Sequence, residues 1–150
     1  MEALAARIEN QIAKGIQRGV TRYLRELGFS ALPELPVSSS RRVDVLALGP
    51  TGEILIVEIK SCLADFRADQ KWTEYRAYCD RFFFGVPADF PLEVIPSSAG
   101  VILGDAYGAE LVRESTYTSL PAARRKALLI RLARASSERL ANLTDPYPAS

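Results

Sequence analysis

The sequence predicts an α/β fold, a mixed sheet flanked by helices, and three observations carry that prediction. Helical periodicity marks both ends of the chain. Leu4, Ile8, Ile12, Ile16, Val20, Tyr23, Leu24 and Leu27 recur at three- and four-residue spacing over residues 2–28, and Leu128, Leu129, Leu132, Ala133, Ser136 and Leu140 do so over 121–140. Between them, residues 41–60 read RRVDVLALGPTGEILIVEIK, two apolar runs about a Gly-Pro-Thr-Gly turn, the pattern of a β-hairpin. The stretches 54–57 and 82–86 are apolar on both faces, as expected of strands covered from two sides. At 150 residues the chain suffices for one domain whose core needs no disulfide staples.

In chain order, the first helix should end at Gly28, and the spacing of Gly15 and Gly19 suits close approach by another backbone. Arg7, Lys14, Arg18, Arg22 and Arg25 form a basic stripe on it, by default a solvated face and alternatively a row of phosphate contacts. A first strand is expected at 34–39, after Pro33, followed by the hairpin strands 43–48 and 54–59. Then come a loop over 61–68 and a helix over 69–79. Asp69 would be its N-cap, with Trp72, Tyr75 and Cys79 on its apolar face. Phe82–Val86 reads as a central strand, and Pro87, Pro91 and Pro96 punctuate the loop after it. Two short strands, 101–103 and 110–113, flank a turn at 105–108, where Asp105 is either a rival ligand or ordinary turn chemistry. The last helix starts near Pro121, which suits a first helical position, and the tail 144–150 should be loosely ordered.

The hairpin turn carries a register. Pro50 suits the first central position of a type I turn and Gly52 the left-handed residue that completes a three-residue loop. Gly49 and Glu53 then close the hairpin, and counting back sets Asp44 opposite Glu58. Alternation along the strand adds Lys60 to the same face. A four-residue loop would instead put Asp44 on the opposite face. Three ionisable groups at the end of an apolar strand are costly unless paired or metal-bound, whereas at a solvated edge they form only weak pairs. The chemistry they suit is metal-dependent hydrolysis of a phosphodiester. Asp44 and Glu58 offer hard oxygens for Mg²⁺, with Mn²⁺ as a substitute, and Lys60 would orient the nucleophile, stabilise the transition state or act as base.

Composition narrows the alternatives. The chain has no histidine, which excludes Ser-His-Asp and Cys-His triads and His-ligated zinc. Nineteen basic and eighteen acidic residues give a net charge of +1, so a nucleic-acid surface must be local. Candidate contacts are Arg41 and Arg42 at the lip of the acidic pair, Lys71 shortly after it, and Arg124 and Arg125 on the last helix, whose surface is largely of one sign. Cys62 and Cys79 lack metal-ligand spacing and read as reduced thiols. Without a signal peptide or a long uncharged apolar run, the expectation is a cytoplasmic protein with no membrane partner.

Asp44 followed across a hairpin by Glu58-Ile59-Lys60 resembles the D…(D/E)-x-K signature of the PD-(D/E)xK nuclease superfamily, with Val43 where a proline usually precedes the aspartate. RRVDVLAL, IVEIKSCLADFRADQKWTEY and CDRFFFGVP resemble the MmcB family of bacterial DNA-repair endonucleases, over most of the chain. That resemblance implies a restriction-endonuclease-like αβββαβ core, DNA as partner, other repair proteins as possible companions, and Glu9 on the first helix as an auxiliary metal ligand. Two function classes follow. One is a Mg²⁺-dependent DNA endonuclease; the other is a catalytically silent DNA-binding or scaffold module on the same fold. Magnesium binding without DNA separates them.

Overall fold

The computed structural model describes residues 1–146; positions 147–150 of the expected tail lie outside the described residues. The chain runs α1 (Glu2–Glu26), β1 (Ser30–Pro36), β2 (Arg42–Leu48), β3 (Ile54–Ile59), α2 (Leu63–Ala68), α3 (Trp72–Tyr75, continued by a 3₁₀ turn at Arg76–Tyr78), β4 (Arg81–Val86), β5 (Gly100–Gly104), β6 (Ala109–Arg113) and α4 (Ala122–Thr144). The six strands lie side by side in sequence order. Pairing is antiparallel except for β3–β4 and β4–β5, which are parallel. A parallel step needs a crossover, and α2 and α3 supply the one between β3 and β4. The expected mixed α/β sheet with an αβββαβ beginning is therefore present.

Both sheet faces are covered, which explains the two-sided apolar strands. Ile16, Val20 and Leu24 of α1 pack on Val45, Leu55, Val57, Phe83 and Ile102. On the other face Phe66, Trp72, Tyr75 and Leu128, from α2, α3 and α4, cover Leu46, Ile56, Phe82 and Phe84. Burying these side chains contributes about 1.5–3 kcal/mol each for the largest of them.

Gly19 lets α1 lie this close. A Cβ there would collide with the carbonyl oxygens of Asp105 and Gly108, and Gly15 faces Ala106. The turn between β5 and β6 thus nests against the helix at the two glycines. Asp105 Oδ1 accepts the N–H groups of Tyr107 (2.8 Å) and Gly108 (3.1 Å), so its carboxylate shapes that turn. Gly19→Ala is expected to lower stability by about 1–3 kcal/mol through overpacking against backbone that cannot yield. Urea denaturation of the variant checks this; an unchanged midpoint would mean that α1 shifts freely on the sheet.

Three elements depart from expectation. β1 starts four residues early because Ala31 and Leu32 pair with Ala47 and Leu46. Pro33 is tolerated because β1 is an edge strand, where a missing N–H costs no ladder bond. Residues 63–68 are helical rather than loop: Phe66 meets the rings of Phe84 at 5.2 Å and Phe90 at 5.9 Å, and that packing holds a helix too short to stand alone. The helix expected over 69–79 is only Trp72–Tyr75 plus the 3₁₀ turn, and Asp69 lies outside it.

Candidate metal and nucleic-acid site

The hairpin closes as a three-residue loop. Gly49 N–H donates to Glu53 O at 2.8 Å and Gly52 takes φ of +100°. The β2–β3 register then runs from Leu48↔Ile54 to Val45↔Val57, where the ladder stops. The next pair in that register is Asp44 and Glu58. Here the strands part, and side chains replace the missing ladder bonds. Asp44 N–H donates to Glu58 Oε1 at 2.9 Å, and Ile59 N–H donates to Asp44 Oδ2 at 2.8 Å.

The parting has a local cause. Along β2, Val45 and Ala47 face α1 while Leu46 faces the other way, yet Val43 also joins the Leu46 side. The strict alternation of a strand is broken at Asp44. In the neighbouring strand, Glu34, its register counterpart, has φ of +55°. Arg139 of α4 donates to the carbonyl oxygens of Pro33 and Glu34 and holds that unusual backbone in place. From the α1 side, Gln17 Nε2 donates to Asp44 O at 3.0 Å.

Glu58 and Lys60 are buried and Asp44 is half-buried. Burial, and then the nearby Asp44 charge, push the Glu58 carboxyl up to about 9. Asp44 is also raised, by burial first, although the Ile59 N–H and Lys60 act against it. Two carboxyl groups are thus forced together where only one negative charge is comfortable. A hydrogen bond between the two side chains works against the rise at Asp44. Two hard carboxyl groups held side by side at a site short of positive charge fit a divalent cation such as Mg²⁺, which takes one or two carboxylates and keeps several waters. No group of three or more His, Cys, Asp or Glu residues forms a ready-made cage among the described residues.

Lys60 does not bridge the two carboxylates. Its ammonium donates to Asp69 Oδ2 at 3.0 Å, and Asp69 Oδ1 accepts the Lys71 N–H at 2.9 Å. Burial pushes the Asp69 carboxyl up, but the Lys71 N–H and the Lys60 ammonium outweigh it and hold the group below its ordinary value. Tyr75 completes this wall. Its hydroxyl donates to Arg42 O at 3.2 Å, and burial, then the Glu58, Asp69 and Asp44 charges, push it up to about 12.

Other candidates divide by position. Arg41 and Arg42 sit at the start of β2 beside Asp44. Arg41 pairs with Glu74 of α3, while Arg42 is exposed, 3.8 Å from Glu34. Lys71 is exposed two residues beyond Asp69. Glu9 lies on the exposed part of α1, with Oε1 4.0 Å from Cys62 Sγ, and does not join Asp44 and Glu58 in a three-residue group. Cys62 and Cys79 are both free thiols.

Arg125, expected as a phosphate contact, is engaged within the protein. Its guanidinium makes two 2.7 Å bonds to Asp80 and a third, of 2.8 Å, to Gly52 O. Asp80 also accepts the N–H of Ile54, which lies four residues from Glu58, about 13 Å along the strand. Arg125 therefore belongs to a structural pair at the opposite end of β3. Arg124 stands 4.6 Å over the Tyr78 ring and donates to Ala77 O, so it too fastens α4 to the body of the protein.

Sequence reasoning missed Asp69 as the partner of Lys60, Tyr75 and Gln17 as props of the β2 backbone, and the whole Asp80–Arg125 pair. Each acts across a distance in sequence that neither periodicity nor spacing encodes. The nine-position separation of Lys60 and Asp69 was the nearest to a legible signal, had the buried lysine been known to need a counter-charge.

A solved structure of SPO1766, a protein of unknown function from Silicibacter pomeroyi, is similar to this chain. It is 43% identical with a TM-score of 0.89, over 93% of this chain and 96% of that one. The crystal structure of a repair endonuclease from Pyrococcus abyssi matches with 19% identity and a TM-score of 0.33, over 47% of this chain and 37% of that one. None of the curated proteins matches. No helix among the described residues is long and apolar enough to cross a membrane. The family model described as DNA repair protein MmcB-like matches residues 2–147, nearly the whole chain, and this protein belongs to that family.

Proposed function

We propose that this protein is a divalent-metal-dependent DNA endonuclease acting in repair, of the PD-(D/E)xK kind. One observation carries the reading. Asp44 and Glu58 meet where β2 and β3 part, each with one carboxyl oxygen bonded to the other strand's backbone. Ionising both carboxyls there is costly, and a divalent cation would relieve that cost. When bound there, Mg²⁺ or Mn²⁺ supplies Lewis-acid polarisation of the scissile phosphoryl group and a lowered pKa for a coordinated water. The rest falls to the chain's own residues. The backbone bonds hold both carboxylates in fixed orientation, so no reorganisation is needed on binding. Lys60 keeps a buried positive charge beside them for the phosphate or the attacking oxygen. Arg41, Arg42 and Lys71 offer cations on the rim for flanking phosphates, Arg41 after exchanging Glu74 for DNA.

The test is cleavage of a panel of labelled DNA structures with Mg²⁺ or Mn²⁺, for the wild type and Lys60→Ala. Wild type is expected to cut at least one structure. The variant should retain metal binding and lose ~10²–10⁴-fold in turnover, the scale of a lost oriented donor or proton-transfer group. A wild type that neither binds metal nor cuts any structure would leave the DNA-binding module as the better reading.

A further inference from the structure

Lys60 poses a problem in the metal-free site. Its side chain is 4% exposed, and alternation along β3 sets it on the Glu58 side, next to two carboxyl groups short of positive charge. An ammonium so placed should settle between Asp44 and Glu58. It would then occupy with its own charge the position a divalent cation needs. Yet among the described residues the one ion pair that Lys60 makes is with Asp69, at 3.0 Å. Asp69 is held for that purpose: its other oxygen takes the Lys71 N–H at 2.9 Å, anchoring the carboxylate just before α3. The segment it starts is tied down twice more, by Glu74 to Arg41 and by Tyr75 to the Arg42 carbonyl.

We propose that Asp69 is a positioning residue: it draws the buried Lys60 ammonium off the Asp44–Glu58 pair and so keeps that pair's charge available to a divalent cation. The proposal rests on the metal-site reading above and adds to it a residue outside the D…(D/E)-x-K signature. In physical terms, Asp69 offsets the desolvation of Lys60 so that the two metal-binding carboxylates do not have to. Without it, Lys60 turns to the nearest remaining anions, and metal must displace an internal ion pair before it binds.

The experiment is Mg²⁺ binding to the metal-free, DNA-free protein by titration calorimetry, with four forms: wild type, Asp69→Asn, Lys60→Ala and the double variant. Asparagine keeps the acceptor for the Lys71 N–H and removes only the charge; Asp69→Ser serves the same comparison should circular dichroism show Asp69→Asn to be unfolded. Asp69→Asn is expected to weaken Mg²⁺ binding about 10-fold, the lower end of what outer partners of metal ligands contribute. Lys60→Ala should bind as wild type does. The decisive form is the double variant, which should bind like Lys60→Ala alone, because without the lysine there is nothing to hold back. A 10-fold loss that persists in the Lys60→Ala background would mean that Asp69 acts through its own charge, and the proposal falls. Equal binding by wild type and Asp69→Asn would overturn it while leaving the metal site intact. No Mg²⁺ binding by wild type would overturn the metal-site reading and this proposal together.

Discussion

Asp44→Asn is expected to abolish metal-dependent cleavage while leaving the fold as stable as before, or more so. Asparagine keeps the shape and still offers an oxygen to the Ile59 N–H, which sits 2.8 Å from the present carboxylate. What disappears is the acidic group of a carboxyl whose charged form burial penalises, beside a Glu58 carboxyl already pushed up to about 9. Losing an anionic ligand removes most of the affinity for a hard cation, which is bound chiefly through charge. Two measurements check the prediction. Cleavage should fall to background at Mg²⁺ concentrations that saturate the wild type. Thermal denaturation in chelator should show a midpoint equal to or above that of the wild type, and the stabilisation that Mg²⁺ gives the wild type should vanish. A variant that melts early would instead mark Asp44 as a structural residue. One that cuts normally would remove it from the chemistry.

Asp80→Ala should produce a large loss of stability. The Asp80 side chain is 1% exposed and accepts from Arg125 twice, from Ile54 N–H at 2.8 Å and from Leu120 N–H at 2.9 Å. It therefore joins β3, the strand start at β4, the segment before α4 and α4 itself. Removing it strands a partly buried guanidinium and two backbone donors, for which about 3–5 kcal/mol is the expected loss. For a chain of this size that corresponds to a melting temperature lower by roughly 10 °C. Burial pushes this carboxyl up, but Arg125 and the two backbone N–H groups more than offset that and leave it at about 2, below its ordinary 3.8. A carboxyl depressed on folding stabilises the protein fully above its unfolded value and loses that contribution as pH falls through its folded one. The wild type should therefore lose an increment of stability between about pH 4 and 2, which Asp80→Ala lacks. Denaturation midpoints for both proteins across that range decide the matter. The same geometry warns that reversing Arg125 to Glu is no probe of DNA contact, since it would set two carboxylates against each other in this pair.

How much of this was legible in the chain follows from where each interaction lies. The hairpin loop could be read because Pro50 and Gly52 have strong local preferences, and the loop length then brought Asp44 opposite Glu58 by counting alone. The first and last helices announced themselves by periodicity, and Gly15 and Gly19 by their spacing. The helix at 63–68 could not be read, because what anchors it is tertiary, Phe66 reaching the rings of Phe84 and Phe90. Nor could β1 be bounded correctly, because a proline that breaks a central strand is harmless on an edge, and edge position belongs to the sheet as a whole.

The sequence by itself determined the two-sided sheet, the register of the hairpin and the convergence of two carboxylates at the end of β3. These follow from short-range rules: turn preference, alternation and helical spacing act over a few residues and need no partner. Only the tertiary structure decided which charges are free. Lys60 looks from the sequence like a companion of Glu58 but is paired with Asp69, and Arg125 looks like a surface cation but is locked to Asp80. A charge in a low-dielectric setting takes whichever counter-charge the fold brings within about 3 Å, and sequence distance has no bearing on that choice.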